Sequence, residues 1–240
     1  MYTDDLIILW ASLSGLKVTL MNCLHTCNQF SLSLNANKSC CVYFGPRYNA
    51  DVDDLMLDND KITWNSSFKY IGIHFVNGKS IDVNIEPIRH NFFMCCNNIL
   101  SHSSDICDLV QLQLNESYVL PTLTYAGAAI KLSETQIASL NACRNSVYRR
   151  IFHCNRWESV KYFIRGLGRL DFRHLRLQLS TKLYLSMQLC KNSVVREMFK
   201  TFMFSKEFLQ FCILIKWFKK TRFSTVKSFM YDIFDAFITF

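Results

Sequence analysis

Proline and glycine are scarce in this chain of 240 residues, with 3 and 7 copies, which excludes collagen-like and proline-rich extended chains. Charge is thin as well: Asp, Glu, Lys and Arg make up 19% against 50% apolar residues, a balance that excludes intrinsic disorder. No run reaches the roughly 18 to 20 apolar residues that span a bilayer. The nearest, Phe208 to Ile215, is interrupted by Gln210 and followed by Lys216, so no membrane partner is expected. A leading secretory signal is also missing, and the 11 cysteines lack the paired C-x-x-C grammar of a zinc site. Together these point to a reducing, intracellular setting, nucleus or cytoplasm, and against secretion and a disulfide framework.

What is abundant is aromatic and basic. Phenylalanine alone occurs 20 times, which needs a deep core or a partner surface to hide it. The length allows one large domain or two small ones. The net charge of +8 is uneven: residues 1–80 hold 6 basic against 7 acidic side chains, and the remainder holds 21 against 12. Between Arg144 and Lys182 ten basic residues meet only Glu158 and Asp171. A polyanion, nucleic acid first, suits such a field; a solvated helical face is the other reading.

Periodicity divides the chain. DLIIL at Asp5 to Leu9 reads as a strand; then Leu13, Leu16, Leu20, Leu24 and Cys27 recur at helical steps behind Ser12 as N-cap. SLSLN and SCCVYFG read as short extended pieces, DLMLDNDKITW as a hairpin turning near Asn59 and Asp60, and FKYIGIHF as one further strand. From Ile85 the period is helical. Ile85, Ile88, Phe92, Cys95 and Ile99 form a stripe with Pro87 in its first turn. Ser133 and Gln136 form a capping box ahead of Ile137, Leu140, Val147 and Ile151, and another long helix fits from about Asp171 to Cys190.

The ordered motifs resemble the C-terminal part of a reverse transcriptase of the non-LTR (LINE-like) retrotransposon class. YTDD at Tyr2 to Asp5 is similar to that family's Y-x-D-D catalytic hairpin, NANKS at Asn35 to Ser39 to its lysine-bearing turn, and FKYIG at Phe68 to Gly72 to its primer-grip strand. YVLPTLTYAGAAIKLS, RRIF and WESVKYFIRGLGRLDFRHLR resemble its helical thumb and connection. The fold class so implied is α+β: a truncated polymerase palm, a small mixed sheet plus helix, then an all-helical thumb and connection unit. The implied divisions are 1–80 for the palm portion, 81–170 for the thumb-like region, and 171–240 for the connection and a Phe-rich tail.

The resemblance implies RNA-directed DNA synthesis with two divalent ions, one activating the primer hydroxyl and one holding the triphosphate. It makes Asp4 and Asp5 catalytic ligands of Mg2+, an ion that prefers converging carboxylate oxygens. Lys38 takes the place of the general acid for pyrophosphate, with an ordinary surface lysine as the alternative. RNA template and DNA primer are the implied partners, met by Tyr2, Lys69, Tyr70 and the close-approaching Gly72. Arg144, Arg149, Arg150, Arg156, Lys161 and Arg165 fall where thumb and connection helices flank the duplex. The family's third Asp lies earlier in the chain than Y-x-D-D, so the chain is expected to be a portion that does not polymerise alone. An uncovered palm edge is expected to favour self-association. Two other readings stand beside this one: a sequence-nonspecific RNA- and DNA-binding remnant, and a pseudogene product without selected function.

Overall fold

The structure, a computed structural model, describes residues 6–57, 60–125 and 127–202. It is a mixed α and β protein that divides into two compact units, with the boundary between Asn84 and Ile85.

In the first unit, helix α1 spans Leu13–Gln29, with the Ser12 hydroxyl accepting from the Gly15 N–H at 3.2 Å. Its stripe works as the spacing requires: Leu20 and Leu24 are buried and Leu13 and Leu16 pack beside them. The helix stops at Ser31, whose φ of 55° lets the Leu32 N–H return to the Cys27 carbonyl at 2.9 Å, the six-to-one closure of a Schellman end. A 3₁₀ turn, Ala36–Lys38, precedes strand β1 (Cys40–Cys41). Strands β2 (Leu55–Leu57) and β3 (Asp60–Trp64) form the hairpin read from DLMLDNDKITW, and β1 joins β3 in parallel, giving the order β1-β3-β2. Leu55, Leu57 and Ile62 close this sheet onto α1.

A second sheet corrects the sequence reading of FKYIGIHF. That stretch is two strands, β4 (Ser67–Tyr70) and β5 (Ile73–Val76), paired antiparallel with Tyr70 opposite Ile73. Ile71 and Gly72 make the turn with φ of 46° and 76°, the double positive φ of a two-residue type I′ connection, whose sense matches strand twist. Strand β6 (Asp82–Asn84), which periodicity did not indicate, completes the order β4-β5-β6. Phe68 stacks on Phe75 with centroids 5.2 Å apart, and Phe44 meets Phe68 edge-on at 6.5 Å. The described residues of DLIIL, 6–9, and the SLSLN segment carry no strand, and SCCVYFG pairs only at its two cysteines. An apolar run becomes a strand only where a ladder partner meets it.

The second unit is helical. Helix α2 (Glu86–His102) carries Pro87 in its first turn and buries Phe92 and Cys96. Helix α3 (Asp108–Leu114) runs through a π turn at Asn115–Val119 into α4 (Leu120–Thr124). Helix α5 (Glu134–Ile151) begins with the full capping box: Ser133 Oγ accepts from the Gln136 N–H at 3.2 Å, and Gln136 Oε1 accepts from the Ser133 N–H at 2.8 Å. After α6 (Lys161–Gly166) comes α7 (Phe172–Leu189), capped by the Asp171 carboxylate accepting from the His174 N–H at 2.9 Å, and then α8 (Ser193–Phe202). Leu123, Leu140, Ile151 and Phe172 are almost fully enclosed, so α4, α5 and α7 share one core. Arg176 on α7 donates to the Gly127 and Ile130 carbonyls, both at 3.0 Å, and the Asn141 carboxamide oxygen accepts from the Phe172 N–H at 3.1 Å. Among the described residues no helix is long and apolar enough to cross a membrane.

Candidate nucleic-acid interface

The sequence-derived site residues fall in both units, and each unit is taken separately. Tyr2, Asp4 and Asp5 lie outside the described residues. In the first unit, Lys38 ends the 3₁₀ turn with its N–H donating to Asn35 Oδ1 at 3.1 Å and its side chain exposed. Lys69 is exposed on β4 opposite His74. Tyr70 is half-buried beside the turn, and Gly72 is exposed at its tip, where the φ of 76° favours a residue without a Cβ. Among the described residues no group of three His, Cys, Asp or Glu side chains is placed to hold a metal ion.

In the second unit the ten basic side chains of the Arg144 to Lys182 stretch sort into two sets, apart from Lys182, which is exposed on α7. Arg144 does not face solvent: it is 5% exposed, donates to the Leu170 carbonyl and, at 3.1 Å, to the Tyr148 hydroxyl. Tyr148 in turn donates to Glu116 at 3.2 Å, and Arg169 pairs with the same carboxylate at 2.8 Å. Burial pushes the Tyr148 hydroxyl up to about 12, with the Glu116 charge adding to it against the pull of Arg144. Burial also acts to raise the Asp171 carboxyl, but hydrogen bonds from the His174 ring and backbone, with the Arg144 charge nearby, hold it below the usual range. Arg173 pairs with Glu134, and Arg176 is committed to carbonyls. A buried guanidinium in this register cannot meet a phosphate, so Arg144 leaves the expected contact set.

The remaining cations gather between Arg149 and Arg165. Helix α5 ends as α1 does: His153 takes a φ of 50° and the Cys154 N–H closes onto the Arg149 carbonyl at 2.9 Å. The loop that follows is held at three points. Arg149 Nε donates to the Glu158 carbonyl at 3.0 Å, the Asn155 amide donates to the Glu158 carboxylate at 2.6 Å, and Val160 is buried in the core. Helix α6 anchors through Ile164 and through Phe163, which stacks on Phe152 at 5.4 Å with rings 15° apart. Val160 and Ile164 are buried, while Lys161, Tyr162 and Arg165 are exposed. Arg150 is exposed with one guanidinium nitrogen on Asn97 Oδ1 at 2.6 Å, and Arg156 lies exposed with its guanidinium 5.7 Å from the Trp157 ring centroid.

Two residues of this surface were not singled out from the sequence. Trp157 is 87% and Tyr162 81% exposed. Their signal was the alternation of basic and aromatic side chains in RWESVKYFIR, a pattern suited to stacking beside phosphates. Searches of protein-family models, curated proteins and solved structures find no match for this chain.

Proposed function

We propose that the chain is part of a reverse transcriptase of the non-LTR retrotransposon class, and that its own contribution is a sequence-nonspecific grip on nucleic acid. One observation supports the grip. Arg144 is buried, Arg169 and Arg173 are ion-paired and Arg176 is committed to carbonyls, whereas Arg149, Arg150, Arg156, Lys161 and Arg165 follow one another along a span in which Glu158 is the one acid. Arg149 gives one nitrogen to the Glu158 carbonyl and Arg150 one to Asn97. Phosphates meeting them release counterions, so affinity follows salt more than sequence.

The polymerase part of the reading rests on the ordered motifs. Asp4 and Asp5 would hold Mg2+, which activates a primer hydroxyl and steadies the triphosphate when bound. Lys38 would protonate pyrophosphate, and Lys69, Tyr70 and Gly72 would meet the primer strand. None of the matched motifs supplies the family's third carboxylate. Two aspartates alone leave most of an octahedral shell to water, so the chain by itself is proposed to bind without extending a primer.

A salt titration of RNA and DNA binding by the whole chain tests the grip. Full use of five cations on duplex sets a limiting slope of log K against log salt of about −4.5. Arg149→Glu with Arg150→Glu should flatten it by about 2. Affinity indifferent to both salt and charge reversal would refute the grip. Primer extension on an RNA template with Mg2+, lost in Asp4→Asn, would refute the proposed inactivity. The second reading, a binding remnant with no part in synthesis, is favoured by the five cations belonging wholly to the helical unit. It requires binding unchanged by Asp4→Asn, by Asp5→Asn and by chelation of Mg2+.

A further inference from the structure

We propose that Trp157 and Tyr162 are stacking platforms for unpaired nucleobases, so that the surface from Arg149 to Arg165 prefers single-stranded nucleic acid to duplex. The inference rests on the nucleic-acid reading above and goes beyond phosphate contact to the state of the strand that is held.

Large aromatic rings are normally covered. Here two of them, five positions apart in sequence, stand 87% and 81% exposed, and each directly follows a cation, Arg156 or Lys161. An exposed ring on a loose loop would carry little meaning, but this loop is pinned. Arg149 and Asn155 hold Glu158 on one side of Trp157, at 3.0 and 2.6 Å. Val160 and Ile164 enter the core on the other side. The rings are therefore presented from a fixed scaffold, which lowers the ordering cost of binding.

The charge around the rings selects the occupant. Five cations against one acid suit a polyanion whose charges recur along a chain. A strand with unpaired bases offers both phosphates and free π faces, whereas duplex bases are already stacked on one another. The Arg156 guanidinium, 5.7 Å from the Trp157 centroid, adds a cation–π contact on one side of the ring. Ring stacking and phosphate contact read neither base identity nor the sugar, so RNA and DNA single strands should bind alike.

The test is fluorescence anisotropy of the full chain with labelled oligouridylate, oligothymidylate and a duplex of equal phosphate number, at several salt concentrations. The parent chain should bind both single strands within a few-fold of each other and more tightly than duplex. Trp157→Ala and Tyr162→Ala should each weaken single-strand binding about five- to tenfold, with the salt slope unchanged and duplex binding within twofold. Trp157→Phe should restore most of the affinity. If both alanine variants match the parent while Arg149→Glu with Arg150→Glu still weakens binding, the stacking inference fails and the phosphate grip stands. Equal losses on single strand and duplex would also overturn it. An absence of binding to all three probes at low salt would overturn both.

Discussion

Replacing Arg144 with methionine separates the two roles that a basic side chain plays in this protein. The substitution keeps the long apolar stem and removes the guanidinium, and with it two hydrogen bonds, to the Leu170 carbonyl and the Tyr148 hydroxyl. Charge-assisted bonds of this kind contribute about 1.5 to 3 kcal/mol each. The cost is offset in part because the charge no longer has to be kept out of water. Glu116 keeps Arg169 at 2.8 Å, so the loss does not spread to a second unpaired charge. A net destabilisation of about 3 kcal/mol follows. With a urea m-value of about 1.5 kcal/mol/M, the midpoint of the helical unit should fall by about 2 M in a circular-dichroism titration. At low temperature and without denaturant, the same variant should bind nucleic acid with the salt slope of the parent. A midpoint within about 0.5 M of the parent, together with a slope flattened by about 1, would show Arg144 on the contact surface and refute the assignment.

Ile71 holds a φ of 46°, a region costly for a β-branched side chain. Ile71→Asn should therefore stabilise the first unit by about 1 kcal/mol in the same titration, and a clear destabilisation would mean that lost packing outweighs backbone relief. Ser133→Ala removes one half of the capping box and should cost the helical unit about 1 kcal/mol. The Asp171 carboxyl is held low in the fold, so its contribution is present above the ordinary carboxylate value and is lost as pH falls through the folded value. Asp171→Ala should flatten the stability profile on the acid side. Tyr148 has the opposite sign: with its hydroxyl raised to about 12, stability is full below about pH 10 and falls by roughly 2 to 3 kcal/mol on rising to pH 12. Tyr148→Phe should abolish that fall.

Local chemistry was legible wherever neighbours in sequence decide the outcome. Ser12, Pro87, Ser133 with Gln136, and Asp171 each mark a helix start that the fold uses. The β4–β5 hairpin was not legible, because Ile at the first turn position contradicts the usual Asn or Gly and only Gly72 hinted at it. The parallel pairing of Cys40 with Thr63 joins residues with no local signal between them. Arg144 is a different kind of miss. It stands four residues after Leu140 and three before Val147, on the stripe the helical period buries. Net charge counted along the chain hid what the period showed. The same counting passed over Trp157, whose exposure depends on how the loop from Phe152 to Val160 is tied down, and Tyr162, whose exposure depends on how α6 is anchored.

The clasp of α7 on the earlier helices also sets an order of events during synthesis. The Gly127 carbonyl is held by a guanidinium 49 residues further along the chain, so at about 5 to 20 residues per second it waits roughly 2 to 10 s on the ribosome for its partner. Through that interval Leu140 and Ile151 have no Phe172 to close over them. The core of the helical unit is thus completed late, by a helix that is among the last parts of the unit to be made.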